Sequence, residues 1–309
     1  MSDISPRGIL KQVADAIPQQ CHKNIVVVGS LAAGYLLLPE DLAQTVRTKG
    51  IDCVLLPYIE AIQFGKAVTE TLLASGWRTR MEAEHGEPGT SSTAESDLPA
   101  IRLYPPDSKE WFLEFLMVPE SGRETAKKWS RVIINAGASS GHYGLPSFRF
   151  LSLLTYDPIR TELGIFCARP EMMVLANLLE HRSIGLDMMS GIIGSRRLKR
   201  SNKDLGRVLA IGALTSEEAL QGWPDTWERG IKSCFPSQWR QLAGSVGSGM
   251  RQLLNSDDDF EEAWYTCVNG LLAARELQKT KEQLLLIGKR LMQDAILPLE
   301  ERAGGVSRS

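Results

Sequence analysis

A glycine-led turn and one carboxylate are the residues best suited to chemistry in the first part of the chain. Ile25 to Val28 form a β-branched apolar run that ends at Gly29-Ser30, and an Ala- and Leu-rich segment follows. This pattern predicts a buried strand, a tight turn and the start of a helix. Because the free N–H groups at a helix start favour anions, the turn suggests a phosphate ligand. The next apolar strand carries one acidic side chain, Asp52.

Two common phosphate-binding turns fit this segment poorly. A P-loop has Lys directly after the second Gly of GxxxxG. Here Gly29 and Gly34 have that spacing, but Tyr35 follows them, which excludes a P-loop. A dinucleotide-binding turn has G-x-G-x-x-G, and Leu31 stands at its second glycine. The dinucleotide fold is therefore a weak alternative.

The same segment resembles the nucleotidyltransferase superfamily, and within it the AbiEii-toxin-like and minimal nucleotidyltransferase domains. That family has a strand ending in Gly-Ser or Gly-Gly, a helix, a strand with Asp-x-Asp, and a later strand with one more carboxylate. The resemblance lies in residues 28–32, 47–52 and 111–116, which fall in the first half of the chain. Gly50 stands where the family has its first metal-binding carboxylate.

The resemblance implies Mg²⁺-dependent transfer of a nucleotide from a nucleoside triphosphate to a hydroxyl group of a protein, an RNA or a small molecule. The positions that match the family's site are Gly29, Ser30, Lys49, Asp52, Glu114 and Lys203. Asp52 and Glu114 are the expected catalytic groups and metal ligands, because Mg²⁺ prefers oxygen ligands and a pair of ions can activate both reacting oxygens. The other four are expected to bind the nucleotide.

Other interpretations of the same residues stay open. Gly50 removes one ligand of a two-ion site, and Asn177 stands where the family has a Lys, so the chain could be a non-catalytic nucleotide-binding or regulatory module. It could also be one component of a toxin–antitoxin-like pair. Asp52 could simply accept backbone hydrogen bonds, and Glu114 could pair with Arg102 across a hairpin.

The rest of the sequence predicts the elements that position these residues. Residues 1–168 are expected to form an α/β nucleotidyltransferase-like domain with a mixed sheet flanked by helices, and 169–309 a helical domain. Helices are predicted at 8–17, 58–75, 172–180, 184–193, 204–214, 216–221, 226–234, 238–254, 260–274 and 278–296. Strands are predicted at 77–80, 99–104, 111–118, 131–134, 148–151 and 163–167. The pairs 99–104 and 111–118 should be antiparallel neighbours.

Two loops are also predicted. Residues 81–97 form a polar surface excursion. The glycine-rich segment 137–144 is predicted either to bind phosphate or to connect two strands.

Composition places the chain among ordinary globular proteins. Its apolar and charged fractions of 43% and 23% are typical of that class. The net charge of −2 gives no global attraction to nucleic acid, so RNA binding would need a local patch such as the basic run 196–203. No segment has the roughly 18 apolar residues of a membrane span, and no signal peptide is recognisable. We expect a cytoplasmic protein with no membrane partner.

The five cysteines are scattered and contain no CxxC motif. They are predicted to be small buried apolar groups rather than disulfides or zinc ligands. Oligomeric state stays open.

Overall fold

The computed structural model describes residues 2–39, 46–80, 87–120, 128–181, 184, 188–193 and 195–304. A mixed sheet with helices is followed by a helical region, which confirms the predicted fold class. The strands are β1 (Ser2–Ile4), β2 (Ile25–Val28), β3 (Val46–Thr48), β4 (Gly50–Leu55), β5 (Arg78–Thr79), β6 (Arg102–Tyr104), β7 (Phe112–Met117), β8 (Lys128–Ile134), β9 (Gly141–Ser147), β10 (Ile159–Arg160) and β11 (Phe166–Cys167). The helices are α1 (Pro6–Ala16), α2 (Gly29–Leu37), α3 (Tyr58–Ala74), α4 (Leu151–Leu154), α5 (Pro170–Glu180), α6 (Arg200–Leu214), α7 (Glu217–Cys234), α8 (Trp239–Ala243), α9 (Ser248–Leu254), α10 (Asp257–Val268), α11 (Lys281–Leu291) and α12 (Leu297–Gly304).

The main sheet has the strand order β10-β11-β2-β4-β7-β6-β5. β4 is antiparallel to β2 and parallel to β7, while β6 is antiparallel to β7 as predicted. The register pairs Val28 with Asp52, and Asp52 with Glu114. Because paired residues of neighbouring strands point to the same face, the two carboxylates share one face of the sheet.

The opposite face of the sheet is covered by α3. Gly65 of this helix lies against Leu55, since a Cβ at position 65 would stand 3.0 Å from a Leu55 methyl carbon. Side chains alternate along a strand, so Leu55 and Asp52 point to opposite faces. The Asp52 face is therefore the side free of α3. Elsewhere in the fold, α2 contacts both α5 and α6.

The helical region packs closely around α6. Gly206 permits the approach of α10, because a Cβ at that position would lie 2.6 Å from the Ala263 carbonyl oxygen. The buried Trp227 of α7 donates its indole N–H to the Glu171 carbonyl at 2.8 Å, which joins α7 to α5. One buried apolar core runs from Ile4 to Ala303. The domain boundary at residue 168 stays a prediction.

Several predicted elements were wrong, and the predicted helix 238–254 is divided into α8 and α9. Residues 148–150 are irregular and α4 begins at Leu151, so there is no strand at 148–151. The described residues of the predicted helix 184–193 instead form isolated bridges, Met189 with Lys199 and Ile193 with Arg196. Glycine and β-branched isoleucines lower helix propensity in that segment. The separate helices expected at 216–221 and 226–234 are the single helix α7, which contains Pro224.

The glycine-rich segment 137–144 consists of a 3₁₀ turn at Gly137–Ser139 and the first four residues of β9, which begins at Gly141. Gly144 is needed for packing, because a Cβ there would lie 2.6 Å from the Trp129 ring. The segment thus connects β8 to β9, in agreement with the predicted connection between two strands. The predicted excursion 81–97 lies partly outside the described residues. In its described part, residues 95–97 form a short 3₁₀ turn.

The cysteines are unpaired, and four of the five are buried as predicted. Burial raises the pKa of the Cys167 thiol to about 12. Among the described residues, the helices are all too short or too polar to cross a bilayer.

Candidate functional site

The turn that starts α2 lies directly beside Asp52. Gly29 has φ +78°, a left-handed conformation that glycine adopts without steric cost. A Cβ at Gly29 would stand 3.5 Å from Asp52 Oδ2, so backbone and carboxylate are in close contact. Ser30 follows as the half-buried second residue of α2. No side chain of the described residues caps this helix start, which leaves its first N–H groups to other acceptors.

Glu114 forms an ion pair with Arg102, which is the pairing across a hairpin that the sequence offered as an alternative to a metal-binding role. Arg102 Nε donates to Glu114 Oε2 at 2.8 Å, and Nη2 donates to Oε1 at 3.2 Å. The side chain of Glu114 is only 14% exposed. This two-pronged contact is the strong form of an arginine–carboxylate pair. Both carboxylate oxygens of Glu114 therefore already have a cation.

An aromatic ring stands beside Gly50, the position that lacks the family's carboxylate. The register pairs Gly50 with Phe112, and a Cβ at position 50 would lie 3.2 Å from Phe112 Cζ. The Arg80 guanidinium carbon lies 4.2 Å from the centre of that ring, and that of Arg102 lies 5.6 Å from it. These are cation–π distances. The space next to Gly50 is filled by a ring with two arginines around it.

A cation cluster, defined as Arg200, Lys203 and Arg207, lies on the first half of α6. Asp204 holds two of its members: Arg200 Nε is 3.0 Å from Oδ2, and Arg207 Nη1 is 3.4 Å from Oδ1. Asp204 is buried, with only 2% of its side chain exposed. The attraction of Asp204 is the main cause of a raised pKa at Arg200, and Asp52 contributes to the same shift. Asp52 thus faces this helix.

Lys203 is the most perturbed member of the cluster. Repulsion from Arg207, burial and repulsion from Arg200 together lower its pKa to about 7, against the opposing attraction of Asp204 and Asp52. The two carboxylates do not compensate for the two arginines and the loss of water. A bound anion would favour the charged form of Lys203 and oppose this lowering of its pKa.

Nearby titratable groups on α5 show the same crowding. Burial, and then repulsion from Asp204, raises the pKa of Glu180. Burial lowers the pKa of His181, and Asp204 opposes that shift.

The basic run 196–203 is divided between two surroundings. Lys199 Nζ lies 2.7 Å from Asp259 Oδ1, and Arg196 lies 3.7 Å from Glu261, both on α10. Arg200 and Lys203 instead face Asp204 and Asp52. Only the second half of the run belongs to the candidate site, so the run is not one continuous basic patch.

Two further positions that the resemblance singled out are Lys49 and Asn177. Lys49 is exposed at the turn between β3 and β4, and a role at the nucleotide stays a prediction. Asn177, where the family has a Lys, donates to the Met173 carbonyl of its own helix at 2.8 Å. Sequence reasoning missed Phe112 and Arg207. Strand alternation gives a signal for Phe112, because it stands two residues before Glu114 and so shares its face.

These residues do not fit a two-ion magnesium site. Such a site uses clustered carboxylates that bridge the ions. Across the described part of the chain, His, Cys, Asp and Glu side chains form no group of three or more that could hold a metal ion. Position 50 faces a phenyl ring, and both oxygens of Glu114 are bound by Arg102. Asp52 alone keeps the expected character of a metal ligand.

Comparison with known proteins gives little further guidance. No family model matches the chain, and no curated protein sequence matches it significantly. Among solved structures, the chain is similar to an antigenic nucleotidyltransferase-like protein from Paracoccidioides brasiliensis, with 13% identity and a TM-score of 0.35, over 85% of this chain and 94% of that chain. A similarity at this level supports no argument about fold or function.

Proposed function

We propose that the chain binds a nucleoside triphosphate between the Gly29 turn and the cation cluster of α6, and that it does so as a non-catalytic protein of the nucleotidyltransferase type. The polyphosphate would lie near the uncapped start of α2, with Arg200 and Lys203 as its cationic contacts. The observation that carries this proposal is the charge of the site. Repulsion from Arg207, burial and repulsion from Arg200 lower the pKa of Lys203 despite the attraction of Asp204 and Asp52, and a bound polyphosphate would favour the charged lysine.

The non-catalytic form is favoured over the catalytic one by the state of the expected metal ligands. Gly50 has no carboxylate, and Glu114 is neutralised by Arg102. Nucleotidyl transfer needs cations at the attacking and leaving oxygens. Losing a bridging ligand weakens that stabilisation, and each 1.36 kcal/mol corresponds to a tenfold change in rate.

A catalytic transferase is the second candidate function. It is supported by the register that places Asp52 and Glu114 side by side on adjacent parallel strands, next to the Gly29 turn. In that case Mg²⁺ would be held mainly by Asp52 and triphosphate oxygens, and the acceptor would be a hydroxyl group of a protein or RNA.

Calorimetric titration with ATP, CTP, GTP and UTP tests the binding proposal. We expect at least one of them to bind, and Lys203→Met to weaken binding by about tenfold, the loss of one strong charge-assisted contact. Lys289→Met is a matched control, because Lys289 is an exposed lysine on α11. No binding of any nucleotide, or equal loss in both variants, would remove the proposal.

Transfer of a radiolabelled nucleotide separates the two candidates. The non-catalytic form predicts binding without label transfer to the protein itself or to added RNA. Label transfer that disappears in Asp52→Asn would establish the catalytic candidate instead.

A further inference from the structure

A groove lies at the end of β2 opposite to Gly29. It has a volume of about 820 Å³ and is bordered by the end of α1, the 3₁₀ turn Gln19–Asn24, α3 and the turn between β10 and β11. The register of β11 with β2, Phe166 opposite Val26, places that turn at the start of β2. Small-molecule sites have volumes of roughly 300–1,000 Å³. The groove is large enough for a ligand and is separate from the site at Gly29.

His22 is held in one orientation at the wall of this groove. Its Nε2 lies 3.0 Å from both the Ala14 and the Ile17 carbonyl oxygens. Since carbonyl oxygens only accept, Nε2 carries the proton and donates to the end of α1. The other ring nitrogen, Nδ1, takes no part in these two contacts. It lies toward Gly164 of the β10–β11 turn, where a Cβ would stand 3.5 Å from it.

The charged groups of the groove favour an anion. Lys23 and Arg160 line it with exposed side chains. Its one carboxylate, Asp15, is engaged by Lys11, whose Nζ lies 2.5 Å from Asp15 Oδ2. The positive side chains thus outnumber the acidic one. An anionic group would meet Lys23 and Arg160 at the rim.

The floor of the groove is apolar. Leu163 and Phe166 present partly exposed apolar side chains to it, whereas the side chains of Ala14 and Ile17 are already buried in the core. A ligand made only of charged groups would leave this floor in contact with water. A ligand with an apolar body would cover it and gain hydrophobic stabilisation.

We propose that this groove is a binding site for a small molecule that carries one carboxylate or phosphate group on an apolar body. The anionic group is bound by Lys23 and Arg160, and the apolar body covers Leu163 and Phe166. Neither the charge of the rim nor the apolar floor is used by the site at Gly29. The proposal is independent of nucleotide binding.

Titration of ¹⁵N-labelled protein with benzoate, followed by backbone amide chemical shifts, tests the proposal. Benzyl alcohol is the uncharged matched probe of similar shape. We expect benzoate to shift the amides of Gln20, Gly164 and Phe166, and benzyl alcohol to shift them several-fold less. The double variant Lys23→Gln/Arg160→Gln should weaken benzoate binding by about fivefold, as expected for exposed charge contacts.

Two control variants make the test specific. Arg229→Gln/Lys289→Gln removes two exposed cations of the helical region and should leave benzoate binding unchanged. Lys203→Met should also leave it unchanged, which separates the groove from the nucleotide site. The proposal is overturned if benzoate does not shift the groove amides, if benzyl alcohol shifts them equally, or if Lys23→Gln/Arg160→Gln binds benzoate as the native chain does.

Discussion

Gly50 and Phe112 form a complementary pair on adjacent strands: the Phe112 Cζ atom lies 3.2 Å from the point where a Cβ at position 50 would stand. This is closer than ordinary van der Waals contact between carbon atoms. The phenyl ring therefore depends on the absence of a side chain at position 50. Phe112 fills the space at position 50, where the resemblance predicted a carboxylate.

Gly50→Ala is expected to reduce the free energy of unfolding by about 1–3 kcal/mol, the usual cost of forcing extra carbon into a filled site. The measurement is chemical denaturation followed by tryptophan fluorescence. Gly222→Ala is the control, because Gly222 lies in α7 with no neighbouring atom within 4 Å of its Cβ position. That change should stabilise the helix by about 0.5–1 kcal/mol. If the cost at Gly50 persists in a Phe112→Leu background, the ring is not its cause.

The Arg102–Glu114 pair is expected to stabilise the fold as a unit. Arg102→Met leaves the mostly buried Glu114 carboxylate without this partner and should cost about 1–3 kcal/mol of unfolding free energy. Adding Glu114→Gln should recover part of that cost, since a neutral amide loses less on burial than a carboxylate. A double-mutant cycle by urea denaturation measures the coupling. If the losses of unfolding free energy in the two single variants add up to the loss in the double variant, the contact contributes nothing.

Nucleotide affinity is expected to be nearly independent of divalent metal. The cationic contacts are expected from Arg200 and Lys203, and the described carboxylates do not form a metal-binding group. Removing Mg²⁺ with EDTA should change the dissociation constant by no more than about threefold, less than 1 kcal/mol. Calorimetry in matched buffers with and without Mg²⁺ is the measurement. Loss of binding in EDTA would restore the metal-dependent interpretation of Asp52.

Local patterns in the sequence were sufficient to predict the strands and the turn in the central part of the site. The β-branched run before Gly29 predicted β2, and Gly29-Ser30 predicted a tight turn, at which the structure has Gly29 with φ +78°. The strand signals at 99–104 and 111–118, on either side of a turn, predicted β6 and β7 as antiparallel neighbours. The pairing of Arg102 with Glu114 was one of the two interpretations of Glu114 that the sequence left open. These features depend on residues that are close in sequence, so periodicity and turn chemistry define them.

The missed features depend on contacts between distant segments. Phe112 meets Gly50 only because β4 and β7 pair in parallel in one register, and no local pattern fixes the register of two strands joined by a long crossover. The basic run was divided because Lys199 meets Asp259, 60 residues further along the chain. Charge pairs of this kind depend on how α10 packs beside α6, which composition does not reveal.

Lys203→Met is expected to stabilise the folded chain, most strongly at acidic pH. The pKa of Lys203 is about 7 in the folded chain, against about 10.4 in an unfolded chain. The unfolded chain therefore binds the proton more tightly, and unfolding free energy rises with pH between these two values. Below about pH 7 the charged lysine carries its full cost. Melting temperatures at about pH 6 and about pH 9 should show a larger gain for the variant at the lower pH.

A stabilisation by Lys203→Met that is equal at both pH values would indicate an effect of side-chain packing alone. Lys289→Met serves as the comparison, because this lysine is exposed on α11 and its removal should change neither melting temperature appreciably.

Nucleotide binding should be coupled to the uptake of a proton at Lys203. At about pH 8 the free lysine is mostly neutral, since its pKa is about 7. A bound polyphosphate favours the charged form of Lys203 and raises that pKa. Affinity for ATP should therefore fall as pH rises above about 7, and binding at about pH 8 should take up as much as one proton. Calorimetric titrations in buffers of different ionisation enthalpy measure that number directly. In Lys203→Met the uptake should vanish together with the pH dependence, and an unchanged uptake in this variant would place the titrating group elsewhere.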